Sequence, residues 1–220
     1  MGIFSSIFSS ALGVIIGFTG DWFLAIALLT IAIKVVLMPL TLKQYRGMLL
    51  TQNFSQAKML LDEKFKNKSE TVNAELIKIM GKYRVNPLSS MLVMLVQLPV
   101  LYSLYISITH LSSAAGSVII PWVLSVSMAD GLHILPIAAS AVQGLQGLIT
   151  PVGQTRNILM LVLPIGIGLA FLWHAPVGLS VYWAFSAIFG LVERKLFSLR
   201  AIREKYLVVP TAEEMVKGIA

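Results

Sequence analysis

The chain has 220 residues, of which 57% are hydrophobic and only 12% are charged. A soluble domain of this size cannot hide that much apolar surface from water, so the composition indicates an integral membrane protein. The absence of cysteine excludes disulfides, thiolate metal sites and cysteine nucleophiles. The formal net charge of +7 would also suit a nucleic-acid-binding protein, and the positions of the basic residues decide between the two classes.

The segment 1–19 is apolar but contains no Lys or Arg, whereas a cleaved signal peptide needs a positively charged beginning. Its Ile3, Phe4, Ile7 and Phe8 recur at helical spacing between serines. This pattern predicts an amphipathic helix lying along the membrane surface, and a disordered segment is the alternative.

Five stretches approach the roughly 20 apolar residues that a helix needs to cross a bilayer core about 30 Å thick. They are 22–42, 88–108, 132–150, 158–173 and 177–191. The predicted fold class is therefore an all-α integral membrane protein with five transmembrane helices. Trp22, Trp122 and Trp173 are interpreted as residues of the aromatic belt at the outer membrane surface.

The basic residues alternate along the predicted loops. Segment 43–86 holds nine Lys or Arg against four acids, and six more basic residues follow the fifth span. Arg156 lies between spans three and four, whereas the segment before residue 22 and the segment 109–131 have no Lys or Arg. The positive-inside rule then predicts an outside N-terminus, a cytoplasmic C-terminal tail over 196–220 and no role in sequence-specific nucleic-acid binding.

Segment 43–86 is polar enough to leave the membrane yet keeps a helical pattern. In its second half an apolar face alternates with Lys and Glu; that face comprises Val72, Leu76, Ile79, Met80 and Tyr83. Asn67 and Lys68 mark a turn, with Ser69 expected as the N-cap. The pattern predicts a cytoplasmic helical hairpin, and a solvated charged loop is the alternative.

Lys34 is the unusual residue of the first span. It lies nine residues before Lys43, about 13 Å along a helix, which is too far for its side chain to reach the cytoplasmic surface easily. No acid lies within the other four predicted spans, so a hydrated polar groove between helices is the expected solution. Snorkelling helped by a kink at Pro39 is the alternative.

Several polar residues of the spans are candidates for lining this groove. Each one alone could equally be an ordinary hydrogen-bonding residue between helices. The candidates are Thr30, Gln97, Gln143, Gln146, Ser180, Tyr182, Trp183 and Ser186.

Catalytic chemistry is not indicated. The aspartates, Asp21, Asp62 and Asp130, fall in loops or at span ends, so the pair needed by an intramembrane aspartyl protease is missing. The sequence has no HExxH motif, no GxSxG elbow and no phosphate-binding glycine loop. We therefore predict no catalytic residue, no metal site and no cofactor, and a protein that is not an enzyme.

An ordered set of motifs over residues 20–195 resembles the YidC family of membrane protein insertases. The motifs are Gly20-Asp21-Trp22, Leu29-Thr30-Ile31 ahead of Lys34, Met38-Pro39-Leu40-Thr41, Gln44-Tyr45, Lys82-Tyr83-Arg84-Val85-Asn86-Pro87-Leu88, Gln97-Leu98-Pro99, Leu135-Pro136, Pro176-Val177-Gly178-Leu179 and Val181-Tyr182-Trp183. The family usually has Arg at the position of Lys34.

The resemblance implies an insertase core over 20–195 in the bacterial inner membrane. Five helices would surround a positively charged groove, open to cytoplasm and lipid, and the hairpin would receive nascent membrane proteins. The groove cation would attract the polar tail of the substrate while its apolar segment slides along spans three and five. The resemblance leaves open whether the ribosome and the general secretory translocase are partners. Rival functions are a small-solute or anion transporter that binds at Lys34, and a scaffold for assembling membrane proteins.

Overall fold

A computed structural model describes residues 2–66, 68–86, 89–111, 116–148 and 158–218, and this part of the chain contains helices and no strand. The helices are α1 (Ile3–Thr19), α2 (Trp22–Lys64), α3 (Ser69–Tyr83), α4 (Ser89–Thr109), α5 (Ile134–Leu148), α6 (Leu159–Leu172), α7 (Val177–Ser198), α8 (Arg200–Tyr206) and α9 (Ala212–Lys217). The all-helical prediction is therefore confirmed. Some predicted features lie outside the described residues. They are the turn residue Asn67, the start of span two at 87–88, the end of span three at 149–150, and Arg156 in the connection that follows it.

A helix overlaps each of the five predicted spans, namely α2, α4, α5, α6 and α7, but the bounds of each helix differ from those of the predicted span. Helix α2 runs without a break for 43 residues, through Pro39 and into the first arm of the hairpin. By length and apolar composition, α2 is the one helix of the described ranges that qualifies as a membrane span. Four shorter apolar helices accompany it, over Phe4–Thr19, Leu95–Thr109, Ile134–Gln146 and Leu161–Leu172.

The chain forms two compact units, and α2, α4 and α7 contribute residues to both. The first unit comprises residues 1–37 and 97–196, and the second comprises 38–96 and 197–220. The core of the first unit is built from apolar side chains of α1, α2, α4, α5, α6 and α7 and of the segment between α4 and α5. The N-terminal segment is helical as predicted, and this helix packs on the core through Leu12 and Ile16. Its position along the membrane surface stays a prediction.

Trp22 and Tyr182 are among the largest fully buried side chains of the first unit. The interpretation of Trp22 as a belt residue at the membrane surface is therefore wrong. Its ring packs edge-on against Phe23 inside the helical bundle. Trp122 and Trp173 stay partly exposed, as a belt requires.

Helices α5 and α6 approach each other closely because small residues face each other across their contact. A Cβ atom added to Gly168 of α6 would lie 2.7 Å from Oγ of Ser140 on α5. A Cβ atom on Gly144 would meet the side chain of Ile165. Small side chains let apolar helices pack by van der Waals contact, which is the usual means of association where water cannot drive it.

The 116–133 segment, between α4 and α5, is held to the first residues of α2 and α7. Asp21 is the main anchor, because its carboxylate accepts hydrogen bonds from the N–H of Phe23 at 2.7 Å and from the N–H of Val118 at 2.8 Å. The Ser117 hydroxyl donates to the same carboxylate at 3.0 Å. Asp21 thus caps α2 and also fastens the segment that follows α4.

Replacing Asp21 by asparagine is expected to destabilise the first unit and to flatten its pH dependence. Burial raises the pKa of Asp21, but the hydrogen bonds from Val118, Ser117, Phe23 and Leu24 outweigh it and leave the pKa below its ordinary value of 3.8. A depressed folded-state pKa adds stability above the ordinary value, and this stability is lost as the pH falls through the folded pKa. Thermal unfolding of both proteins in detergent across the acid range measures the difference, which we expect to be about 1 to 2 kcal/mol near neutral pH. Parallel unfolding curves at every pH would contradict this role.

The second unit contains the predicted helical hairpin. Ala57 and Leu61 of α2 pack against Val72, Leu76 and Ile79 of α3, so the predicted apolar face of the second arm is confirmed. Helix α3 begins at Ser69 with Lys68 at the N-cap position, one residue before the expected cap.

The segment 207–218 folds back onto this hairpin, which the sequence did not predict. Met215 of α9 is fully buried in the hairpin core, and a capping box between Thr211 and Glu214 begins the helix. Hairpin side chains donate to backbone carbonyls of the segment: Asn53 to Pro210 at 2.9 Å, and the Tyr83 hydroxyl to Glu214 at 3.2 Å. The segment is therefore an integral part of the second unit.

Candidate functional site

Lys34 lies on α2 within the first unit, next to a residue of its apolar core. Ile33 packs against the core, and Thr30, one turn earlier, is fully buried. The Thr30 hydroxyl donates to the carbonyl of Ile26 at 2.7 Å. The Lys34 side chain is half-buried, and the charge of Glu193 acts on it.

Glu193 corrects the expectation that no acid of another span can act on Lys34. Span five was predicted to end at residue 191, but α7 continues to Ser198 and buries Glu193. The following Lys195 is exposed, so consecutive charged residues lie on different faces of one helix. Spacing was the signal available in the sequence, because Tyr182, Ser186 and Glu193 fall within about 40° of each other on a helix of about 100° per residue. These three residues form the polar stripe of α7.

Gln97 of α4 and Tyr182 of α7 meet in the same unit. Nε2 of Gln97 donates a hydrogen bond to the Tyr182 hydroxyl at 2.5 Å. Tyr182 is fully buried, and Gln97 is half-buried. Both were predicted to line the groove, and this contact joins α4 to the polar stripe of α7.

Gln146 ties α5 to α7. Its side-chain Nε2 donates to the backbone carbonyl of Ala187 at 2.9 Å, and the backbone carbonyl of Gln146 accepts from Nη1 of Arg194 at 2.7 Å. An arginine is favourable there, because unpaired carbonyls give the end of a helix partial negative charge. Gln143 is half-buried one turn earlier on α5, on the same face as Gln146.

The remaining candidates do not share the stripe of Tyr182. Ser180 lies about 160° around α7 from Tyr182. The ring of Trp183 packs on Phe171 of α6 with a centroid distance of 5.5 Å. Oγ of Ser140, Oγ of Ser180 and Nε1 of Trp183 are buried and find no hydrogen-bond partner within the described ranges. Because buried polar atoms are normally paired, water is the expected partner of these three groups.

The fold and this site define an all-helical membrane protein that keeps charged and hydrogen-bonding side chains between apolar helices. The family model described as "60Kd inner membrane protein" matches residues 14–204. The chain therefore belongs to the 60Kd inner membrane protein family.

Curated relatives carry the name "Membrane protein insertase YidC". That of Lawsonia intracellularis is 33% identical over 184 residues, covering 79% of this chain and 34% of the relative. That of Syntrophus aciditrophicus is 32% identical over 180 residues, covering 81% of this chain and 33% of the relative. That of Geobacter sp. strain M21 is 31% identical over 179 residues, covering 80% and 33%. The chain thus spans about a third of the length of the relatives it matches.

Proposed function

We propose that this protein is a membrane protein insertase and chaperone that guides nascent membrane proteins into the lipid bilayer. The observation that carries the proposal is the polar stripe of α7 in the first unit. Its Glu193 acts electrostatically on Lys34 of α2, and its Tyr182 accepts a hydrogen bond from Gln97 of α4. A polar surface of this kind is expensive inside a membrane and marks a path for polar substrate groups. The names of the relatives support the same function.

The proposed mechanism needs no covalent chemistry. Water held partway across the membrane shortens the apolar barrier that a polar tail must cross. The cation of Lys34 favours acidic tails over basic ones, because opposite charges attract strongly where the effective dielectric constant is low. Burial of the substrate's apolar segment in lipid then supplies a driving force.

The proposed topology has five membrane-crossing helices, an outside N-terminus and a cytoplasmic C-terminus. The alternation of basic loops supports it, since the hairpin alone carries nine Lys or Arg against four acids. The hairpin would then stand on the cytoplasmic side, where nascent chains arrive. We propose that the groove of the first unit is lined by Lys34, Gln97, Gln143, Tyr182 and Ser186.

A transporter that binds a small anion at Lys34 is the rival function. Many transporters carry internal repeats with paired helix breaks, and the sequence shows no such repeat. Site-specific photocrosslinking distinguishes the two functions.

A photoreactive residue placed at Gln97 is expected to capture a single-span substrate with an acidic outside tail during its synthesis. Position 97 tests the stripe, whereas Trp183 tests the face of α7 that packs on α6. Phe18, exposed on α1 and part of neither the stripe nor the hairpin, serves as the control. Absence of substrate capture at 97 and 183, together with anion flux that depends on Lys34, would instead establish the transporter.

A further inference from the structure

The 116–133 segment is apolar on both of its faces. Ile120, Val123 and Val126 are buried in the core of the first unit. The opposite face exposes apolar side chains, with Val118 at 90% and Leu124 at 80% exposed. The other exposed apolar residues are Ile119, Trp122, Met128 and Leu132. An exposed apolar surface of this extent is costly in water and marks contact with lipid or protein.

The segment has a fixed position relative to the helix ends. The N–H of Trp22, the first residue of α2, donates to the carbonyl of Gly116 at 3.4 Å. The N–H of Val177, the first residue of α7, donates to the carbonyl of Met128 at 2.7 Å. Because α2 begins its apolar stretch at Trp22, backbone bonded to that residue lies at the same depth, where the membrane meets water.

The segment carries no exposed charge that immersion would have to desolvate. It contains no Lys, Arg or Glu, and its one acid, Asp130, is almost completely buried. The Asp130 carboxylate accepts hydrogen bonds from Nε1 of Trp122 at 3.1 Å, from the N–H of Leu132 at 3.0 Å and from the N–H of Leu135 at 2.8 Å. The buried carboxylate is thus satisfied by three donors within the protein, so the exposed apolar face can enter lipid without burying an unpaired polar group.

We propose that the 116–133 segment is a lipid-contacting surface that inserts into the boundary of headgroups and acyl chains, in the leaflet where α2 begins. The molecules that it contacts are the acyl chains of phospholipids. The depth fixed by the hydrogen bonds to α2 and α7 favours lipid over a soluble partner, and the lack of exposed charge favours it over the headgroup phosphates alone. This surface is distinct from the polar stripe that carries the proposed function.

Fluorescence quenching in vesicles tests the proposal, and the cysteine-free chain allows a single label at any chosen position. Leu124→Cys and Val118→Cys would each carry an environment-sensitive dye in the 220-residue chain, reconstituted in vesicles of phosphatidylcholine with phosphatidylglycerol. Two controls calibrate the signal: Ser69→Cys on the exposed hairpin for water, and Val36→Cys on the exposed apolar face of α2 for lipid.

Both segment labels are expected to emit at shorter wavelength than the Ser69 label. Lipids spin-labelled near the headgroup should quench them severalfold more than aqueous iodide does. Lipids spin-labelled near the chain end should quench the Val36 label better than the segment labels. Iodide quenching equal to that at Ser69 would overturn the proposal. Protection from both quenchers that grows with protein density in the vesicles would also overturn it, because it would indicate contact with a second copy of the chain.

Discussion

Replacing Lys34 by alanine is expected to lower the insertion of a substrate with an acidic outside tail by about tenfold. Two unit charges about 10 Å apart interact by about 1.7 kcal/mol at an effective dielectric constant of about 20, and about 1.4 kcal/mol is a tenfold effect. The loss should be much smaller for the same substrate with an uncharged tail. Protease protection of the tail in reconstituted vesicles measures both.

Lys34→Arg is the matched variant. It keeps the positive charge and introduces the residue that the YidC family usually has at this position. It should insert acidic tails at least as well as the natural chain, since arginine also offers several donors in a fixed geometry. Lys43→Ala, at an exposed lysine of the same helix, controls for the loss of one positive charge. Equal insertion by all four proteins would show that the charge at residue 34 is dispensable.

Glu193 is expected to weaken the preference of the groove for acidic tails. Its negative charge acts on Lys34 and offsets part of the attraction that the lysine exerts on an acidic tail. When no substrate is bound, the two opposite charges would keep the net charge of the groove close to zero. An unbalanced charge would be costly there, because the groove lies among apolar helices. A lysine balanced in this way would favour acidic tails less than an isolated cation does, and basic tails would be repelled less.

Much of the fold was predictable from apolar periodicity and charge. Long apolar stretches predicted the helices, because an apolar run of that length has few other stable structures. The spacing of Val72, Leu76 and Ile79 predicted one face of the hairpin, and this face is buried in the structure. Within the candidate site, Gln97 and Tyr182 were both predicted and do meet.

The errors have a common physical cause, since hydropathy averages over a window and does not resolve helix faces. Glu193, next to Arg194 and Lys195, lies beyond the predicted end of span five at 191, although a helix separates adjacent residues by about 100° and can bury one of them. Trp22 was read as a surface residue from its position at a span end, but tertiary packing buries it. The docked α9 has six residues, too few to be stable alone, so its packing decides its structure. Its capping box, Thr211 followed by Glu214, was a readable signal.

Introducing aspartate at Met215 is expected to release the 207–218 segment from the hairpin. Met215 is fully buried between α2 and α3, and truncating such a side chain alone costs about 2 to 5 kcal/mol. A buried carboxylate adds a desolvation penalty, so the docked state of a six-residue helix should no longer be favoured. Hydrogen exchange of the amides of residues 212–217 measures the release.

Lys217→Asp is the control for this change, because it places the same side chain at an exposed position of α9. It should leave the amides of α9 protected, whereas Met215→Asp should bring their exchange close to the rate of an unstructured peptide. Amides of α3 should exchange faster in Met215→Asp, since the hairpin core loses one of its buried side chains. Protection of α9 that survives Met215→Asp would mean that the carbonyl contacts made by Asn53 and Tyr83 hold the segment without the apolar anchor.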